Sequence, residues 1–195
     1  SRLYARRDEF PPHGFKAYGI VVFRSLANDD NRDRHQMICE AYRTVLPSSD
    51  NISAPVAQQM VTVWPLSDVD EQKLELIRGS EDACEHAVDN YGLFTGKIAA
   101  MHAFNAGLRL SNRGPYLLAW APPAEKGGTK AKLLALDLSN VTVAEQARDI
   151  FLKWAQDIEA DPSVWRDGWD VESIRITMRL WLDRYGEQVI SLVSK

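Results

Sequence analysis

The sequence predicts an α/β domain, with α+β as the variant: a small mixed β-sheet of about four strands, helices packed on it, and a helical C-terminal third. Three observations lead there. The run Ile20, Val21, Val22, Phe23 is continuously apolar, which suits a strand covered on both faces. Strand-like and helix-like segments then follow one another in the order β-α-β-α-α-α-β-β-α-α. Beyond Thr142, apolar residues recur at spacings of three and four, the helical period.

Residues 1–16 read as an extended N-terminal arm, because Pro11 and Pro12 in "FPPHGF" deny helix. Residues 17–195 then read as one domain. "AYGIVVF" is the first strand expected. "LANDDNRD" supplies N-cap residues for a helix running to about Leu46, where "PSSD" stops it. "QQMVTVWP" is a second strand, closed by Pro65. "SDVDEQKLELIRG" and "EDACEHAVDNYG" are short helices ending on glycine. A third runs from about Thr95 to Leu108, with Phe94, Ile98, Met101 and Leu108 on one side. "PYLLAWAP" and "KLLALDL" read as a hairpin with a long polar loop between them. Thr142 and Glu145 form a capping-box pattern at the head of a helix striped by Val143, Ala147, Ile150, Phe151, Trp154 and Ile158. "DPSVWRDGWD" breaks that helix before a last one bearing Ile174, Met178, Trp181, Leu182 and Tyr185.

The chain has 195 residues, enough for one domain with a proper core. Its net charge of −4 argues against nucleic acid as a partner. No apolar run approaches the roughly 18–20 residues that span a bilayer. The chain starts at Ser1 without an initiator methionine or a leader, which predicts either the processed form of an exported protein or a trimmed chain.

Few motifs carry chemistry. In "HQMICEAY", His35 and Cys39 lie one helical turn apart, so a thiolate–imidazole pair is the candidate catalytic arrangement. Both flank the stripe of Ile38, Ala41, Tyr42 and Val45, which equally fits the margin of a core. Cys84 lies on the stripe of Ala87, Val88 and Tyr91. Cys39 and Cys84 can therefore meet if their helices pack on one face. A disulfide there would stabilise by about 4 kcal/mol on chain-entropy arithmetic. Two reduced, buried thiols are the alternative, and an exported setting favours the disulfide. The four histidines lack metal-ligand spacing, so no metal and no cofactor is expected. "GLFTGK" is one residue short of a phosphate loop and follows a helix instead of a strand.

Tryptophans supply the remaining lead. "VWRDGWD" offers Trp165 and Trp169 for stacking and Arg166 and Asp167 for hydrogen bonding, a candidate ligand or partner surface. The same indoles could instead pin the turn between the last two helices.

The segments "DEFPPHGFKAYGIVVF", "MVTVWP", "RGPYLLAWAP" and "WLDRYG" together resemble a group of small uncharacterised exported bacterial proteins. The resemblance implies an exported, periplasmic location and carries no activity. The expected function is a non-catalytic periplasmic or cell-envelope domain that binds a protein partner or a small envelope ligand. The competing expectation is a hydrolase or transferase using His35 and Cys39. Its site would lie at the C-terminal ends of the central strands, around Arg24, Trp64 and the first helix's N-terminus.

Overall fold

A computed structural model describes residues 1–121, 132–185 and 190–193. Its strands are β1 (Arg2–Ala5), β2 (Ala17–Val22), β3 (Met60–Pro65), β4 (Tyr116–Trp120), β5 (Leu133–Asp137) and β6 (Ile190–Val193). Its α-helices are α1 (Arg32–Val45), α2 (Glu71–Gly79), α3 (Ala83–Asp89), α4 (Leu93–Asn105), α5 (Ala144–Trp154) and α6 (Val171–Tyr185). The strands form one mixed sheet in the order β1-β3-β2-β4-β5-β6. β1, β3 and β2 run parallel, while the pairs β2–β4, β4–β5 and β5–β6 are antiparallel.

The α/β expectation holds, on a sheet two strands wider than the sequence suggested. Both additions are four-residue edge strands. "RLYA" falls within the stretch read as an arm and pairs along β3, Leu3 opposite Val63. "ISLV" pairs along β5, Leu192 opposite Leu134. Edge pairing satisfies backbone groups on one side only, so short segments suffice and no long apolar alternation announces them. The hairpin is confirmed by the β4–β5 register, Leu118 opposite Ala135. Its expected loop, residues 122–131, lies outside the described residues.

Alternate residues of the central strands feed two cores. Val21, Trp64, Leu117, Leu134 and Leu136 pack with α1, α3, α5 and α6 on one face. Ile20, Val22, Val63, Leu118 and Trp120 pack with Ala99, Ala103 and Ala106 on the other. Burial on both faces explains the unbroken apolar run of β2. Gly92 and Gly96 in "GLFTGK" serve packing. A Cβ on Gly92 would stand 2.5 Å from the Leu66 carbonyl oxygen, and one on Gly96 would stand 2.6 Å from the Tyr91 hydroxyl.

Helix α4 presents different residues to the sheet and to solvent. The small residues Gly96, Ala99 and Ala103 face the sheet. Phe94, Met101 and Phe104 point outward, 51%, 53% and 61% exposed. The capping box at Thr142 is also absent. α5 starts at Ala144 with Val143 as its N-cap and no side-chain cap, while the Thr142 backbone N–H reaches Gln146 Oε1 instead.

α5 continues into a π-helical segment, Ala155–Glu159, which turns Glu159 into the core. There its carboxylate accepts hydrogen bonds from Thr62 Oγ1, the Ser1 amino group and Trp154 Nε1, the last at 3.1 Å. Burial pushes this carboxyl above its ordinary range, and the Ser1 charge with these donors opposes the shift.

Candidate functional site

β2 has β3 on one side and β4 on the other. The chain leaves its C-terminal end to form α1, which leads to β3. Open α/β sheets hold ligands at such a reversal, outside the carboxyl ends of the strands. A cleft of about 200 Å³ lies there, bounded by Phe23, Arg24, Asn31, Arg34, His35 and Arg113.

Each side chain is positioned by a separate local structure. Arg24 follows β2 directly and donates from Nη1 to the carbonyl oxygens of Leu110 and Asn112, the latter at 3.3 Å. Arg34, in the first turn of α1, donates from Nη2 to the Leu138 and Ser139 carbonyls at 2.6 and 2.8 Å. Arg113 precedes β4. Its neighbour Gly114 is tied down by N–H donation to Ser139 Oγ at 2.8 Å. Asn112 Nδ2 donates to Asp137 Oδ2 at 2.6 Å, and Tyr116 donates to the Asn112 carbonyl at 2.8 Å. The cleft's rim is thus a braced set of loops at the strand ends.

His35 forms part of the floor. Its ring lies 3.9 Å, centroid to centroid, from Phe23, and the residue is 5% exposed. Burial, then the charges of Arg34 and Arg32, lower the imidazole to about 4, so it is neutral near pH 7. Among the described residues its buried Nδ1 has no hydrogen-bond partner, and neither has the buried Arg34 Nε. Burial and the Arg113 charge also lower the Arg34 guanidinium, with Asp137 opposing. Arg32 is engaged elsewhere, 2.6 Å from Asp89. Among the bounding residues the one carboxylate is Asp30, which is exposed.

The arrangement is an electropositive cleft at the amino end of a 14-residue helix, whose dipole adds to the same sign. It offers guanidinium groups and an imidazole to a negatively charged group.

The sequence candidates fare unevenly. His35 and Arg24 are brought together as expected of a strand-end site. Trp64 is not with them. It is fully buried in the core, donating to the Ala87 carbonyl at 3.1 Å. Cys39 is joined to Cys84 in a disulfide with Cα atoms 5.6 Å apart, and is fully buried. A disulfide sulfur has no thiol to ionise, so the His35–Cys39 nucleophile pair is not formed. The tryptophan surface is corrected as well. Trp165 and Trp169 are 1% and 4% exposed, and Trp165 donates to the Ile158 carbonyl at 2.9 Å. They pack the turn before α6, and of the four candidates Arg166 and Asp167 are the exposed ones.

Arg34 and Arg113 escaped sequence reading. Arg34 sat among helix-start charges, and Arg113 in a turn. Only the sheet order, which sets β4 beside β2, brings them together. Among the described residues, no group of three or more His, Cys, Asp or Glu side chains could hold a metal ion, and no helix is long and apolar enough to cross a membrane. Comparison with protein-family models, curated proteins and solved structures finds no match for the chain.

Proposed function

We propose that this chain is a non-catalytic binding domain that holds a small anionic ligand, through a carboxylate, sulfate or phosphate group, in the cleft at the end of β2. One observation carries the reading. Arg34 and His35, whose Nε and Nδ1 are buried with no hydrogen-bond partner among the described residues, line a cleft together with Arg24 and Arg113. Leaving buried polar groups unpaired costs about 1–3 kcal/mol each, more for charged ones. An anion seated among them supplies the missing acceptors and offsets the repulsion between Arg34 and Arg113.

The disulfide supports an exported, periplasmic or cell-envelope setting for this binding, because reducing compartments keep such cysteine pairs as thiols. It also disfavours the hydrolase or transferase reading, since Cys39 is no resting nucleophile.

A panel of phosphate, sulfate and small carboxylates, at matched ionic strength, tests the proposal by thermal unfolding. One or more anions should raise the midpoint saturably, and Arg113→Gln should weaken that anion roughly tenfold or more. A panel no different from chloride removes the proposal.

A further inference from the structure

Helix α4 lies with its small side chains against the sheet and its large apolar ones in water. Phe94, Met101 and Phe104 are each more than half exposed, and the spacings of seven and three residues put them on one side of the helix. Such a group of large apolar side chains on one surface is unusual on a folded protein and marks a place of contact.

The chain segment that carries it is basic. From Leu93 to Ala121 the chain contains Lys97, Arg109 and Arg113 and no Asp or Glu, although the whole chain carries a net −4. Lys97 is exposed on the helix itself. The Arg7 guanidinium lies over the Phe94 ring, 3.8 Å from its centroid. The neighbouring acids Asp8 and Glu9 pair with Arg6, at 3.8 and 3.4 Å. Arg7 therefore adds a cation to the apolar face.

We infer that the outer face of α4 is a docking surface for an anionic lipid bilayer. Phenylalanine and methionine side chains enter the acyl boundary, while Lys97, Arg7 and Arg109 meet lipid phosphates, the division of labour of an interfacial helix. The charge pattern selects this occupant over a second copy of the chain. A two-fold contact through this face would set the cations Arg7 and Lys97 of one copy against a helix of the other that carries no carboxylate. The inference is independent of the anion cleft.

Co-sedimentation with vesicles of phosphatidylcholine, with and without phosphatidylglycerol, tests it. The protein should sediment with the anionic vesicles and bind the neutral ones roughly tenfold or more weakly. Phe94→Ser with Phe104→Ser should abolish binding, with circular dichroism and an intact disulfide verifying the fold. Lys97→Glu, which leaves the apolar face untouched, should weaken only the anionic arm. Failure to sediment with anionic vesicles, or equal binding by the double variant, overturns the inference. So does a concentration-dependent mass in solution that the double variant loses, which assigns the face to self-association.

Discussion

The His35 imidazole lies against the Phe23 ring, 3.9 Å between centroids, in an arginine-bounded cleft, and its buried Nδ1 has no hydrogen-bond partner among the described residues. Phe23 ends the apolar run that begins at Ile20, and His35 sits in the first helix after it. The two link the end of β2 to the first turn of α1 and give the cleft a buried aromatic base.

This burial sets a pH dependence of stability. The folded imidazole titrates near 4, below its unfolded value of about 6.5. Above about pH 6.5 it is neutral in both states and imposes no cost. As pH falls the unfolded chain takes up the proton first, so stability drops between about pH 6.5 and about pH 4 and the loss is complete below that. Denaturant unfolding of His35→Gln across this range should show a flatter slope than the parent protein.

Anion binding should oppose that depression. An anion beside Arg34 favours the imidazolium, so sulfate, whose charge is constant over this range, should bind more tightly as pH falls from about 6 to about 4. Calorimetric titrations at several pH values measure this, and the effect should vanish in His35→Gln.

The disulfide ties α1 to α3 across a sequence separation of 45. Paired replacement of Cys39 and Cys84 by serine should lower the unfolding free energy by about 2–4 kcal/mol without changing the sheet. Thiol titration of the denatured, unreduced protein should find none free.

Trp165 is a structural residue. Trp165→Ala should cost about 3–5 kcal/mol in urea unfolding, through cavity formation and loss of the bond to Ile158. Anion affinity at the distant cleft should stay within twofold or so while the protein remains folded.

Gly92 and Gly79 make a paired test of the fold. A methyl on Gly92 meets the Leu66 backbone at 2.5 Å, where nothing can yield cheaply, so Gly92→Ala should destabilise by about 3 kcal/mol. Nothing lies within 4 Å of a Cβ on Gly79, so Gly79→Ala should stabilise by about 0.5 kcal/mol. Both are read from denaturant midpoints.

The central architecture was legible because its signals are local. Ile20–Phe23 and Met60–Pro65 state their burial in composition, and α2 ends at Gly79 as the sequence suggested. The Cys39–Cys84 contact was legible too, since both residues sit at or beside apolar stripes. β1 and β6 were not, because four-residue edge strands draw their stability from a partner strand. In α4 the large apolar residues Phe94 and Met101 stood out in the sequence, while it is the small residues Gly96, Ala99 and Ala103 that meet the sheet. The cleft was half visible. Arg24 and His35 follow from where strand-end sites form, whereas Arg113 joins them only through the antiparallel placement of β4 beside β2.

The most direct test of anion binding at this cleft is a nuclear magnetic resonance titration with sulfate, following the His35 imidazole and the Arg34 Nε–H together. The account predicts that both signals shift saturably with one affinity, that the imidazole pKa rises from about 4, and that chloride at equal ionic strength does neither. Signals that fail to move, or that drift without saturation and identically in chloride, would contradict it.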